Sequence, residues 1–202
     1  MRIIEIFKSI QGEGIHQGAV TGFLRLGGCN LRCTWCDTPH GQEGGREVTR
    51  KEVVQSLEEL RCRRICITGG EPLLQVDELV PLLQTLRERG YAIDIETNGT
   101  LDFSRCQPYA GICMDVKCPS SGETSDLELL DRIRPEDSVK FVVGDTRDCL
   151  YAERVIREHP TGGQIFFSPV SGSDYGEIVK FLLDRDLPVR LQVQLHKILE
   201  VR

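Results

Sequence analysis

An α/β fold, with a parallel sheet wound as an incomplete β/α barrel, is what the order of apolar segments predicts. Three observations carry the expectation. Short β-branched apolar runs alternate with amphipathic stretches along the chain. Several of the runs are nearly continuous in apolar character, which suits strands covered on both faces. The 202 residues also fall short of the roughly 250 that a complete eight-fold barrel takes. No repeat, low-complexity tract or linker interrupts the chain, so a single domain over residues 1–202 is expected.

The expected strands are residues 3–7, 22–26, 64–68, 92–97, 111–117, 138–143, 164–168 and 189–196. Helices lie between them. Thr49 with Glu52 reads as a capping box, followed by Val53, Leu57 and Leu60 on one face. Val76, Leu79, Val80, Leu83 and Leu86 form the next apolar stripe, and Gly90 is placed to end it. Residues 125–133, 146–158 and 174–186 are the remaining helices. Parallel strands joined in this way take right-handed crossovers.

In parallel folds the functional groups gather at the C-terminal ends of the strands. The unusual residues fall there. Cys29 follows the second strand and Gly69-Gly70-Glu71-Pro72 the third. Asn98-Gly99 follows the fourth, Cys118-Pro119-Ser120 the fifth, Gly144-Asp145 the sixth and Pro169-Val170 the seventh. One mouth can receive all of them.

The net charge of −6 argues against a polyanion-binding surface, so nucleic acid is not expected as a direct partner. There is no run of about 18 apolar residues. Nor is there a charged-then-apolar leader, so a cytoplasmic protein without membrane contact is expected. Nine cysteines is a high and odd count. In a reducing compartment, clustered thiols read better as metal ligands than as a disulfide framework.

Cys29, Cys33 and Cys36 are spaced C-x3-C-x2-C. A structural zinc site closes with four ligands, typically two C-x2-C pairs, and only one such pair is present here. A cubane [4Fe-4S] cluster takes thiolates at its corners. Three thiolates leave one iron for an outside ligand, which an amine and a carboxylate can chelate. A zinc knuckle is the competing reading. Cys62, Cys66, Cys106, Cys113, Cys118 and Cys149 sit in or beside strands and helices and read as small core residues. A metal-binding pair, Cys62 with Cys66 or Cys113 with Cys118, is the weaker alternative.

The triplet, with Trp35 just before its last cysteine and Gly-Gly-Glu-Pro at 69–72, resembles the radical S-adenosylmethionine (SAM) enzymes. The resemblance implies a partial parallel barrel of the radical SAM type. It implies SAM chelating the open iron through its methionine end, with a reduced cluster cleaving it to a 5′-deoxyadenosyl radical. Within that group, SIQGEG at 9–14, Phe23-x-Arg25 leading to Gly28-Cys29-Asn30-Leu31, and Cys36-Asp37-Thr38 resemble the 7-carboxy-7-deazaguanine synthase family. So do ETNG at 96–99, KCPSSG at 117–122, KFVV at 140–143 and Gln194-x-His196-Lys197.

That family implies ring contraction of 6-carboxy-5,6,7,8-tetrahydropterin to 7-carboxy-7-deazaguanine, on the way to queuosine or archaeosine in tRNA. Hydrogen abstraction at C6, loss of ammonia, regenerated SAM and a requirement for Mg2+ come with it. A homodimer is implied too, and so is a low-potential electron donor such as a flavodoxin or ferredoxin. Competing readings are a small activase that installs a glycyl radical on a partner protein, and an iron-sulfur carrier. Ser-Ile-Gln-Gly-Glu-Gly and Arg25 speak against the first, and Gly-Gly-Glu-Pro against the second.

Site residues follow from the same resemblance. Cys29, Cys33 and Cys36 hold the cluster. Gln11 and Glu13, with Ile10 and Gly12 of the same stretch, suit the amino-pyrimidinone edge of a pterin. Arg25, set in an apolar strand, needs a counter-anion. A structural salt bridge would do, and a substrate carboxylate fits bidentately. Thr38 is a neutral oxygen for magnesium, which often binds few protein groups. A turn cap before Pro39 is the alternative. Thr97 and His196 are assigned to substrate, though His196 with Lys197 reads equally as a surface pair. Trp35, Cys36, Asp37, Gly69, Gly70, Glu71, Gly99, Asp115, Val116, Lys117, Ser168 and Pro169 are assigned to SAM. Asp115-Val116 stands where the family usually has Ser-Pro, and Ser168-Pro169 where it tends to have Gln-Pro.

Overall fold

The structure, a computed structural model, describes residues 1–201. β1 (Arg2–Ile10) and β2 (Val20–Leu26) open it as an antiparallel pair, and the two-residue β3 (Arg46–Glu47) pairs with β1 on its other side. Next come α1 (Arg50–Glu59), β4 (Arg64–Gly69), α2 (Val76–Glu88), β5 (Ala92–Thr97), β6 (Gly111–Val116) and β7 (Ser138–Val143). The last elements are α3 (Thr146–Glu158), β8 (Gln164–Pro169), α4 (Tyr175–Leu183), β9 (Val189–Leu191) and α5 (Leu195–Ile198). One sheet runs β3-β1-β2-β4-β5-β6-β7-β8-β9, and every pairing from β2 with β4 onward is parallel. This is the incomplete parallel barrel that the sequence predicts, fronted by an antiparallel hairpin.

Alternation along the strands sorts the side chains. Leu24, Ile65, Ile67, Ile93, Ile95, Met114, Val139 and Phe141 join Val53, Leu57, Leu79, Leu82 and Leu83 of the helices in the main core. Burying each such side chain contributes roughly 1.5–3 kcal/mol. The intervening positions Arg25, Thr68, Glu96, Asp115 and Lys140 face a cavity on the other side of the sheet. The expectation of strands buried on both faces thus holds throughout for β7, buried at all six positions, whereas elsewhere the inner face is polar and lines the cavity.

Where the structure departs from the sequence reading, the cause is local. The capping box is present: the Thr49 side chain accepts the Glu52 N–H, and Glu52 accepts the Thr49 N–H at 2.8 Å. Residues 125–133 do not form an α-helix. Leu127–Arg132 is a 3-10 helix, and Leu127, Leu130 and Ile133 repeat every third residue, the period of that tighter helix. The strand expected over 189–196 stops at Leu191, and the helix expected over 174–186 stops at Leu183. The first strand runs to Ile10 rather than Phe7.

The chain after β9 does different work. Gln192 accepts the Gly14 N–H at 2.6 Å and donates to the Gly14 carbonyl at 2.9 Å. Gln17 donates to the Val193 carbonyl at 2.6 Å, and the Leu195 N–H reaches the Gly12 carbonyl at 3.1 Å. Side chains and a helical turn thus fasten the two ends of the open barrel together.

Candidate active site

A cavity of about 380 Å³ opens at the C-terminal ends of the parallel strands. Cys29, Cys33 and Cys36 line it, all as free, half-buried thiols. The other six cysteines are buried, in keeping with the core role expected of them. Asn98 aims its amide at Cys29 Sγ from 3.9 Å, and the Leu31 N–H points at the same sulfur from 3.5 Å. Burial pushes the Cys33 thiol up, with Lys117 opposing and the neighbouring thiols adding to the rise. A thiolate at Cys33 therefore comes with metal binding, which releases the proton. Among the described residues no three His, Cys, Asp or Glu side chains gather on a single ion. A cubane makes a different demand, one thiolate for each of three irons, and this donor set fits it.

Two glycines let β4 pass behind the cysteine loop. A Cβ on Gly69 would lie 2.2 Å from the Leu26 carbonyl oxygen, and Gly69 has φ +143°. A Cβ on Gly70 would lie 2.0 Å from the Gly28 oxygen and 2.8 Å from Cys29 Cβ. Both glycines line the cavity, whereas Glu71 is fully buried behind it. Glu71 accepts the Leu73 and Asn98 N–H groups at 2.9 and 2.7 Å and the Thr97 hydroxyl at 2.9 Å. Burial raises its pKa against those bonds. Glu71 thus braces the ends of β4 and β5.

Beneath the thiols lies a floor of buried charge. Lys140 pairs with Glu13 and, at 3.1 Å, with Asp115. Asp115 also meets Lys117 Nζ at 3.3 Å. Glu13 further accepts Gln194 at 2.8 Å and the Ser168 hydroxyl at 3.3 Å. Burial works against the Glu13 charge, but the Lys140 ammonium outweighs it and holds the carboxyl down at about 2. Glu96 goes the other way. Burial pushes it up, the Glu13 and Asp115 charges add, and Lys140 only partly opposes them. Gln11 and Thr68 donate to Glu96 at 3.3 and 3.0 Å. Two neighbouring carboxyls thus have pKa values driven apart, the arrangement that suits one of them to carry a proton.

Arg25 stands on one wall. Its Nε contacts Glu5 at 3.0 Å and its Nη1 donates to Thr38 Oγ1 at 3.2 Å. A structural ion pair is therefore present, and the guanidinium still faces the cavity. Thr38 precedes a 3-10 turn, Pro39–Gly41, but its side chain does not cap it. The hydroxyl donates instead to Asp37 at 3.0 Å. His196 lies against Gly12, where a Cβ would come within 2.0 Å of His196 Nδ1, and the adjacent Lys197 reaches Asp37 at 3.7 Å. Burial lowers the His196 pKa, so the imidazole is neutral at pH 7.

Most of the residues singled out in the sequence meet in this cavity. Ile10, Gln11, Gly12, Glu13, Arg25, Thr97 and His196 line it, together with Trp35, Asp37, Thr38, Asp115 and Lys117. Five others are turned away. Val116 belongs to the main core. Gly99, at φ +68°, packs toward Met114. Ser168 sits behind Glu13, and neither Pro169 nor Glu71 reaches the lining. Glu96, Lys140 and Gln194 also line the cavity without a role expected from sequence, and His196 and Lys197 line it rather than forming a surface pair. Glu96 and Lys140 carried a signal: each is a charged residue inside an apolar strand, where charge is seldom buried without purpose.

Comparisons with known proteins agree with this geometry. Residues 24–144 match the radical SAM superfamily. The chain is 51% identical to a 7-carboxy-7-deazaguanine synthase of Methanospirillum hungatei, covering 98% of this chain and 84% of that protein. It is 36% identical to another from Thermoplasma acidophilum, covering 98% and 97%. Among solved structures, QueE from Escherichia coli superposes with a TM-score of 0.79 at 27% identity, covering 96% of this chain and 94% of that one. Streptococcus suis SuiB shares the fold at a TM-score of 0.58 and 13% identity, over 82% of this chain and 46% of that one. With the three thiols, the paired glycines and the charged floor in one cavity, the chain belongs to the radical SAM superfamily and, within it, to the 7-carboxy-7-deazaguanine synthase family.

Proposed function

We propose that this protein converts 6-carboxy-5,6,7,8-tetrahydropterin to 7-carboxy-7-deazaguanine with release of ammonia, a lyase reaction that supplies 7-deazapurine biosynthesis. The observation that carries this reading is the single cavity, with the cysteine triplet at its mouth and Gln11, Glu96 and Arg25 deeper in the wall. Cys29, Cys33 and Cys36 would hold the [4Fe-4S] cluster, which with SAM would supply the radical chemistry.

The chain's own residues then have separable tasks. Arg25 and Thr38 lie 3.2 Å apart, a cation beside a neutral oxygen. Together they suit a substrate carboxylate and the Mg2+ ion it brings, since magnesium keeps few protein ligands and takes the rest from substrate and water. Gln11 holds Glu96 in place, and Glu96 faces the amino-pyrimidinone edge, where burial and the neighbouring carboxylates raise its pKa and favour its protonated form. Glu13, saturated by Lys140, Gln194 and Ser168, fixes the floor rather than exchanging protons. Neutral His196 lines the cavity beside Gly12. Trp35 and Lys117, with the ammonium 5.5 Å from the ring centre, form the wall assigned to SAM. A low-potential donor of the flavodoxin or ferredoxin type, a homodimer and a cytoplasmic setting belong to the same reading. No helix among the described residues is long and apolar enough to cross a membrane.

The test is anaerobic. The protein is reconstituted with iron and sulfide and given SAM, reductant, Mg2+ and 6-carboxytetrahydropterin, and 7-carboxy-7-deazaguanine is sought by mass spectrometry. Product that disappears in Cys33→Ala supports the reading. SAM cleavage without product removes the pterin as substrate and leaves only the radical class.

A further inference from the structure

Asp148 lies outside the cavity, on the first turn of α3, and is fully buried. An acid at that helix position usually turns back to its N-cap residue. Here the N-cap Asp145 accepts the Asp148 N–H at 2.9 Å. The Asp148 carboxylate points elsewhere. One oxygen accepts the Ser120 N–H at 2.9 Å, and the other accepts the Gly144 N–H at 2.7 Å. The positive end of α3 favours the charge. A buried carboxylate held by backbone donors is costly unless every bond is kept, so the loops it ties together are held firmly.

One of those loops, at Ser120, packs against the cysteine segment. Ser120, pinned through its N–H, accepts the Trp35 indole N–H on its hydroxyl at 3.1 Å. The Ser121 carbonyl accepts both the Thr34 N–H at 2.9 Å and the Thr34 hydroxyl at 3.1 Å. Glu123 accepts the Arg32 N–H at 2.6 Å. These contacts fall on residues 32, 34 and 35, between and around Cys33 and Cys36. We propose that Asp148 is a positioning residue that sets the Trp35 ring and the cysteine loop through Ser120, linking α3 to the wall that SAM occupies. The link to SAM rests on the function proposed above; the link from Asp148 to Trp35 does not.

Trp35 is the only tryptophan of the chain, so its indole reports the connection directly, in metal-free protein and without turnover. Three variants are compared with the parent: Asp148→Asn, which keeps the volume, Asp148→Ala and Ser120→Ala. Melting curves show which are folded. The single indole N–H resonance should move in all folded variants, and the ring should become more accessible to acrylamide. In the reconstituted enzyme, KM for SAM should rise about fivefold with little change in kcat, the size of one lost hydrogen bond. An unmoved resonance and unchanged quenching in a folded Asp148→Asn protein would overturn the proposal and leave Asp148 as a helix-end acid only. A moved resonance in the variants, with a parent enzyme that cleaves SAM yet makes no product, would leave the positioning intact and remove the pterin reading alone.

Discussion

Lys140 of β7 and Glu13 of the turn after β1 form an ion pair inside the barrel, 127 residues apart in the chain. The pair explains why a charged turn and a charged strand position both persist in the interior. Glu13 ionises at about 2 in the fold against 4.5 for a free side chain. Because the folded value is the lower one, the stabilisation is present above about pH 4.5 and fades as pH falls toward 2, about 3 kcal/mol in all. Glu13→Gln should flatten the acid side of the stability curve and leave Lys140 dependent on Asp115. Urea unfolding at several acidic pH values measures it, and an acid limb identical to the parent's would contradict the pairing.

Glu96 should show the opposite balance between stability and activity. Its raised pKa means that the protonated form is the one the fold prefers, so its contribution is lost as pH rises through that value. Glu96→Gln keeps an acceptor for Gln11 or Thr68 and removes the buried charge. Its melting temperature should match or exceed the parent's at neutral and alkaline pH, while product formation falls by about 10²-fold or more. A variant that is less stable yet fully active would refute both halves.

The glycines offer a paired test. Gly70→Ala would drive a methyl into the Gly28 carbonyl, a backbone atom that cannot move aside, so the β4 crossing behind Cys29 should fail. Iron–sulfur absorbance after reconstitution should be largely lost. For Gly12→Ala the three nearest atoms all belong to the His196 side chain, whose ring can swing aside. That protein should keep its cluster and its melting temperature and show a raised KM for the pterin. Equal loss of cluster in both variants would be unexpected.

Thr38→Val removes one oxygen and keeps the shape. If the hydroxyl serves magnesium, the variant needs a higher Mg2+ concentration for half-maximal rate, by about tenfold, with SAM cleavage intact. Chelating Mg2+ from the parent should slow product formation in the same way. A variant with the parent's Mg2+ dependence would show that Thr38 serves only Asp37 and Arg25.

Much of this was legible in the sequence, for identifiable reasons. The β4-to-β8 strands carry β-branched runs long enough to read, and the cysteine spacing with Gly-Gly-Glu-Pro marks the mouth. Two kinds of information were hidden. The 189–196 stretch, Val-Arg-Leu-Gln-Val-Gln-Leu-His, has a strand's composition and alternation, but its glutamines are claimed by Gly14 and Glu13 from across the barrel. Tertiary hydrogen bonds outrank local propensity there. The roles of Glu96 and Lys140 depend on which face of the strand looks inward. That is settled by register with neighbours, not by the strand itself.

The clasp between Gly14 and Gln192 spans 178 residues of chain. Contacts of such separation form late, because the loop they close must first be ordered. During synthesis the three thiols emerge early, whereas the residues that complete the floor and far wall, Gln194 and His196, arrive after β9. A nascent chain thus exposes sulfur ligands long before it has a place for substrate. The cavity is therefore closed by the part of the chain made last, and its far wall exists only in molecules whose clasp has formed.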